Sequence, residues 1–199
     1  WLQQIVGYCL YGQNSMKKII FLYGTSNTGK STFLEAIMSA IGEYSSSASM
    51  EIFSGEERNP QLMDVVFKRI ITLSEADTKK DISVDVIKQF VGQDEVVARR
   101  LQSNEILRAV PAFTPIIATN APPSLDKSDV AFENRLEVIP FNHVVDANQK
   151  GNEIRTECRE AILAWAMQGW EIFCQYKLSN RPENLEMRKA RQDFLNDMT

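Results

Sequence analysis

One stretch near the amino terminus constrains the fold more than any other part of the chain. Residues 24–31 read GTSNTGKS and match the pattern G-x-x-x-x-G-K-[ST] in full. An apolar run, Lys18–Tyr23, precedes this stretch, and a helical pattern, Lys30–Ile41, begins within it. A strand that turns through glycines into a helix presents backbone N–H groups and the positive helix end to an anion. The sequence therefore predicts a phosphate-binding loop.

The loop pattern also predicts which residues contact the nucleotide. Lys30 would reach the β- and γ-phosphates of ATP, and the Ser31 hydroxyl would bind Mg²⁺. We expect the whole loop to line the nucleotide site: Gly24, Thr25, Ser26, Asn27, Thr28, Gly29, Lys30, Ser31 and Thr32.

Apolar runs alternate with helical patterns along most of the chain. This alternation predicts an α/β fold, with a parallel sheet covered on both faces by helices. From about Asn152 the pattern is helical only, with one long helix over Ile154–Lys177 and another over Glu183–Met198. Ser45–Pro60 is rich in serine and is predicted to be a loop with one short element. We expect a core over residues 1–145 and a C-terminal helical subdomain over 146–199. The remaining predicted strands are 69–73, 114–119 and 136–141, and the remaining predicted helices are 1–13, 61–67 and 84–91.

Polar residues follow two of these strands. Glu75 comes just after the strand 69–73, which we expect to lie adjacent to the loop strand, and it would activate the attacking water and hold Mg²⁺ through water. Asp77 competes for this role but lies beside two lysines, as a solvated loop acid does. Asn120 follows the strand 114–119, where it could hold the attacking water, sense the γ-phosphate, or only cap the turn before two prolines.

Further along the chain, Arg135 lies just before the last predicted strand. An arginine there can be an ordinary salt-bridge partner. It can also be an arginine finger, which stabilises the transferring phosphoryl group of a neighbouring subunit.

Between the Glu75 and Asn120 strands the sequence predicts a β-hairpin. Its arms are Glu95–Leu101 and Ile106–Phe113, with Ser103 and Asn104 at the tip. Three arginines form its locally basic stretch, and they would contact phosphates or pair with neighbouring acids such as Glu105: Arg99, Arg100 and Arg108.

The order of these motifs resembles the superfamily 3 helicases of the AAA+ class. The chain looks most like the C-terminal helicase domain of phage and plasmid primase-helicases, with poxvirus primase-helicases as relatives. The segments that carry the likeness are LQQIVGY at 2–8, IKQFVGQD at 87–94, ARRL at 98–101 and AWAMQGW at 164–170. Departures from the family pattern occur at Ser26, Thr28, Gln93 and Gln102.

The resemblance implies an AAA+ P-loop NTPase core with a hairpin inserted before the Asn strand and a C-terminal helical subdomain. It implies an ATP-dependent DNA helicase that assembles as a homo-hexamer, moves on single-stranded or forked DNA, and has a primase domain upstream. Such a protein would act in the cytoplasm of a bacterium that carries a phage, plasmid or integrated element. Its implied catalytic residues are Lys30, Glu75, Asn120 and Arg135, and its implied DNA contacts are Arg99, Arg100, Ser103, Asn104 and Arg108.

Composition narrows the remaining classes. The formal net charge of −4 does not suggest a surface coated for nucleic acid, although a few residues could still line a channel. His143 and the three cysteines (Cys9, Cys158 and Cys174) lack metal-ligand spacing, and no apolar run suits a membrane span.

Two other kinds of nucleotide-binding protein stay open. A small-molecule P-loop kinase needs an arginine-rich lid, whereas Arg135 is the single arginine between Asn120 and Asn152. A GTPase is disfavoured, since no Asn-Lys-x-Asp follows the strand 114–119. A non-motor AAA+ loader or regulator could use the same hairpin as a static clamp.

Overall fold

The computed structural model describes residues 1–54, 60–74, 83–99, 106–123, 130–145, 150–176 and 185–198. The helices in these ranges are α1 (Leu2–Leu10), α2 (Lys30–Ile41), α3 (Gln61–Val65), α4 (Val84–Gly92), α5 (Val130–Glu133), α6 (Lys150–Glu157), α7 (Arg159–Tyr176) and α8 (Leu185–Asp197). The strands are β1 (Ile19–Tyr23), β2 (Ser45–Ala48), β3 (Ile70–Ser74), β4 (Val96–Arg99), β5 (Ile106–Ala109), β6 (Thr114–Thr119) and β7 (Leu136–Pro140).

Five parallel strands form the central sheet, in the order β2-β3-β6-β1-β7. Alternate residues of β1 face opposite layers, as the two-residue period of a strand requires. Ile19 and Phe21 pack in one hydrophobic core with residues of α3, α4 and α8. Ile20 and Leu22 pack in a second core, on the other face of the sheet, with residues of α1, α2 and α7. The predicted α/β class with a parallel sheet covered on both faces is therefore confirmed.

The strand order corrects one expectation. The strand that precedes Glu75, β3, is not adjacent to the loop strand β1, because β6 lies between them and pairs with both. At about 4.8 Å per strand, the ends of β1 and β3 are separated by ~10 Å. The end of β6, which carries Asn120, is consequently the nearer neighbour of the loop.

Two other sequence predictions were wrong. Ser45–Ala48, predicted as part of a loop, is the edge strand β2 and pairs with β3 from Ile70 to Leu73. The serine-rich sequence does not show the apolar pattern by which a strand is recognised, because an edge strand does not need a continuous apolar run. The predicted helix Ile154–Lys177 is two helices that meet at Cys158, whose carbonyl accepts a hydrogen bond from Ile162 N at 2.8 Å in the first turn of α7.

The first and seventh helices pack against each other without intervening side chains. A Cβ at Gly7 would lie 2.1 Å from Trp170 N, and a Cβ at Gly169 would lie 1.9 Å from Gln3 O. Only glycine fits at both positions. The segment predicted as helix 1–13 thus packs directly on the segment predicted as helix 154–177. No helix in the described ranges combines the length and the apolar character that crossing a bilayer requires.

Candidate functional site

The loop between β1 and α2 is braced by the strands beside it. Gly24 N donates to Thr119 O at 3.3 Å, and a Cβ at Gly24 would lie 2.1 Å from Phe141 O. The chain then turns through left-handed conformations at Asn27 (φ 61°) and Gly29 (φ 86°). These turns, which Asn and Gly tolerate, lead directly into the first residue of α2.

Lys30 is the buried cation of this loop, with 7% of its surface exposed. Its Nζ donates to Gly24 O at 2.6 Å, to Thr25 O at 2.7 Å and to Asn120 Oδ1 at 2.8 Å. These three acceptors are neutral oxygens of the loop and of the neighbouring strand end. A buried ammonium beside a helix amino terminus is a favourable place for an anion. The Lys30 ammonium and the backbone N–H groups at the start of α2 together fit a polyphosphate.

Two residues at which the loop departs from the family pattern have structural partners. Thr28 is buried, and its Oγ1 donates to Thr25 O at 2.9 Å while accepting from Lys30 Nζ at 3.3 Å. Ser26 lies beside the Asn strand, because Asn120 Nδ2 approaches its Oγ at 3.5 Å. The hydroxyl of Thr28 therefore closes the loop around the lysine.

The carboxyl ends of three strands meet at this edge of the sheet, called here the loop edge. In register, Leu22 of β1 pairs with Ala118 of β6, and Ala118 pairs with Ser74 of β3. Ser31 is exposed in the first turn of α2. The loop and Asn120 are thus brought together as expected. Glu75 directly follows β3 but lies outside the described residues, as does Asp77.

Arg135 lies at the opposite edge of the sheet, called here the amino edge. It directly precedes Leu136, which pairs with Ile19 at the start of β1. The length of β1, at about 3.3 Å per residue, separates it from the loop of the same chain by ~15 Å. Its Nη1 donates to Ala131 O, and its Nε is buried with no hydrogen-bond partner among the described residues. The structure does not bring Arg135 to its own loop.

A set of charged side chains surrounds Arg135, and the sequence reasoning missed it. Arg191 Nη2 donates to Glu133 O at 2.7 Å, and Lys18 Nζ donates to Asn134 O at 3.0 Å. Lys18 Nζ also lies 3.6 Å from Glu137 Oε2. These residues come from α8, from the segment before β1 and from β7, so no local motif signals them.

Glu137 is the acidic member of this set. Trp1 Nε1 donates to Glu137 Oε1 at 3.0 Å. Burial raises the pKa of Glu137 above its ordinary value, while Lys18, the Trp1 hydrogen bond and Arg191 pull the pKa back down.

The predicted hairpin contains an antiparallel pair, β4 with β5. Its inner face is buried through Val96 and Ala98, whereas Val97 and Ile106 on the outer face are exposed. Arg108 is paired with Val97 in register, and its Nη1 lies 3.3 Å from Glu95 Oε1. Glu95 is thus a partner for Arg108, whereas the expected partner Glu105 lies outside the described residues. Arg99 ends β4, and the predicted contacts Arg100, Ser103 and Asn104 lie outside the described residues.

A cavity of about 560 Å³ lies elsewhere, between α1, α2 and α7. Tyr11, Tyr44 and Trp170 line it, and the Arg69 guanidinium lies 4.5 Å above the Tyr44 ring. Arg69 precedes β3, so this cavity lies toward the amino edge, away from the loop. Among the described residues, no group of three or more His, Cys, Asp or Glu side chains could hold a metal ion.

Comparison with known proteins assigns a family. Residues 22–135 match the family described as a family of unknown function, DUF5906. This match spans more than half of the chain, which therefore belongs to that family.

Similar curated relatives include viral proteins. The chain is 29% identical over 153 residues to "Putative helicase V13" of Sputnik virophage, covering 72% of this chain and 20% of that protein. It is 27% identical over 146 residues to "Putative helicase L207/L206" of Acanthamoeba polyphaga mimivirus, covering 71% and 15%. The chain therefore spans a fifth or less of the length of these relatives.

The fold is also found in a solved structure. The apo structure of the NrS-1 C-terminal region matches 99% of this chain with a TM-score of 0.68, at 15% sequence identity. The match covers 46% of that chain. The two chains share an α/β fold with a mostly parallel central sheet and surrounding helices.

Proposed function

We propose that the protein is an ATP-driven helicase motor that acts on single-stranded DNA as a ring of six copies. The observation that carries this proposal is the separation of the buried Lys30 and of Arg135 to opposite edges of one sheet. A site that uses both residues needs two copies of the chain. The viral relatives named as helicases support the same class.

At the loop edge we assign the binding of ATP. Lys30 and the loop N–H groups would hold the phosphates, and Asn120, already 2.8 Å from Lys30 Nζ, would sense the γ-phosphate. Ser31 and, through water, Glu75 would hold Mg²⁺, which neutralises charge on the phosphates when bound. Glu75 would accept the proton of the attacking water.

At the amino edge we assign the completion of the neighbouring copy's site. Arg135 would stabilise the charge of the transferring phosphoryl group in trans, and its loss would remove catalysis but leave nucleotide binding at its own loop. The buried, unpaired Nε supports this, because exchanging Ala131 O for a phosphate would satisfy an atom that lacks a partner among the described residues.

We assign the contact with DNA to the hairpin. Its candidate contacts are Arg99, Arg100, Ser103, Asn104 and Arg108. The pair between Arg108 and Glu95 is exposed on both sides, with 67% and 58% of the side chains accessible. An exposed ion pair is worth less than about 1 kcal/mol, so a DNA phosphate can displace Glu95 easily.

The proposal is tested by measuring size and ATP turnover together. With a non-hydrolysable ATP analogue and single-stranded DNA, we expect a hexamer by sedimentation, and with ATP we expect turnover that DNA stimulates. A monomer that phosphorylates a small molecule would identify a kinase and overturn the proposal. A ring whose turnover ignores DNA and which unwinds no forked duplex would identify a loader or regulator instead.

A further inference from the structure

The turn that carries Arg135 is held by two cations from distant parts of the chain. The last carbonyls of a helix have no partner within it, and α5 ends at Glu133, just before this turn. Arg191 of α8 takes the carbonyl of Glu133 at 2.7 Å, and Lys18 takes the carbonyl of Asn134 at 3.0 Å. Both residues immediately before Arg135 are therefore fixed by side chains from other elements.

The backbone of Arg135 is held by two hydrogen bonds, whereas its guanidinium makes one among the described residues. Arg135 N donates to Phe132 O at 2.8 Å, and Arg135 O accepts from Ile19 N at 2.9 Å. The guanidinium contacts its own turn through Ala131 O, and its Nε is buried without a hydrogen-bond partner among the described residues. A fixed backbone and an incompletely bonded guanidinium suit a side chain that exchanges Ala131 O for a phosphate.

The charges at this turn also favour contact between Arg135 and an anion outside the chain. Lys18, Arg135 and Arg191 bring three positive charges to the amino end of β7, where Glu137 is a negative charge that two of them share. Glu133 lies in the same turn and contributes a second carboxylate. Like charges nearby disfavour an inward-folded guanidinium and favour an anion outside it. The Nε of Arg191 is also buried without a hydrogen-bond partner among the described residues.

We propose that Arg191 is a positioning residue for Arg135, supported by Lys18: by holding the α5–β7 turn it aims Arg135 at the nucleotide of the neighbouring copy. This inference rests on the proposed function, because it has meaning only if Arg135 acts in trans. It assigns a catalytic consequence to α8, which lies apart from the motifs that the sequence analysis identified.

The test compares Arg191→Gln and Arg191→Lys with the control Lys189→Gln, which removes an exposed cation from the same helix. ATP turnover is measured on the assembled ring with single-stranded DNA, well below the melting temperature. We expect Arg191→Gln to lower kcat on the order of tenfold to a hundredfold, the effect of a small misplacement. KM for ATP stays unchanged, because the loop lies at the opposite edge. Arg191→Lys recovers most of kcat, since an ammonium there still donates to Glu133 O, and Lys189→Gln behaves as wild type.

A double variant separates this inference from the proposed function. If Arg191 acts through Arg135, adding Arg191→Gln to Arg135→Ala lowers kcat no further. Wild-type kcat in Arg191→Gln, or losses that multiply in the double variant, would overturn the positioning role while leaving the trans site intact. Full turnover in Arg135→Ala would instead overturn the trans site itself, and the positioning role with it. If Arg191→Gln does not fold, Lys18→Gln replaces it, and a kcat equal to wild type would count against the proposal.

Discussion

The two edges of the sheet each carry a cation, and the two cations are held differently. At the loop edge, Lys30 Nζ donates to Gly24 O, Thr25 O and Asn120 Oδ1, all within 2.8 Å. At the amino edge, Arg135 donates to Ala131 O and keeps a buried Nε without a partner among the described residues. At the loop edge, the hydrogen-bond acceptors of the cation come from the same chain. The amino edge has a fixed backbone and an unsatisfied side chain, as half of a shared site would.

The largest expected difference between the edges lies in what each cation contributes. Arg135→Ala should lower ATP turnover by about 10³- to 10⁵-fold, the range known for arginine fingers, while ATP binding persists. Lys30→Ala should remove both turnover and binding, because Lys30 is the buried charge of the loop. Steady-state turnover with equilibrium binding of a fluorescent ATP analogue separates the two. Equal losses of ATP binding in both variants would mean that binding and catalysis are not separated between the two edges.

A second test concerns the bracing of the loop edge. Gly24→Ala places a Cβ 2.1 Å from Phe141 O, a backbone atom that cannot turn away, and should weaken ATP binding on the order of a hundredfold. Gly42→Ala is the matched control, since Gly42 follows the far end of α2, its Cβ meets nothing within 4 Å, and it suffers only the strain of its φ of 63°. That strain costs about 1–3 kcal/mol. If both variants bind ATP alike, close approach to β7 is not what shapes the loop.

The amino edge should also respond to pH through Glu137. Its folded-state pKa is raised, so the folded protein binds this proton more tightly than the unfolded chain does. Its contribution to stability is therefore greatest below the ordinary pKa of 4.5 and declines as pH rises through the folded-state pKa. Glu137→Gln should remove this decline while keeping an acceptor for Trp1. Unfolding free energies of both proteins across pH 4 to 7 supply the check; a constant difference between them would contradict it.

The smallest expected effect belongs to neither edge. Gln93 ends α4 with a φ of 66°, a left-handed conformation that glycine adopts without strain. Gln93→Gly should stabilise the protein by about 1 kcal/mol, roughly 2–4 °C in Tm, with ATP turnover unchanged. A change in turnover without a change in Tm would link this position to the site, against expectation.

At the loop edge the sequence predicted the strand, the turn and the helix that follows it, because that information is local. A contiguous pattern fixes the loop backbone between a strand and a helix, and Asn120 is recognised as the polar end of the next buried strand. Gln93 is also understood from local information. The related family commonly has glycine at this position, and the left-handed φ of Gln93 gives the physical reason.

The amino edge was predicted only as the single residue Arg135. Its surroundings come from Lys18, Glu137 and Arg191, which meet through the pairing of β1 with β7 and the packing of α8 on β7. No local sequence motif predicts such contacts between residues that are distant in the sequence. The serine-rich strand β2 and the position of β6 between β1 and β3 were missed for a related reason, since strand order depends on partners distant in sequence.

The most direct test of a site shared between copies is complementation of two inactive variants. Lys30→Ala retains Arg135, and Arg135→Ala retains the loop, so each protein alone should show almost no ATP turnover. Mixed in equal amounts and assembled with DNA, they should regain roughly a quarter of wild-type turnover, because random neighbours combine one intact half from each copy at that frequency. A mixture that stays as inactive as its two components would contradict the account.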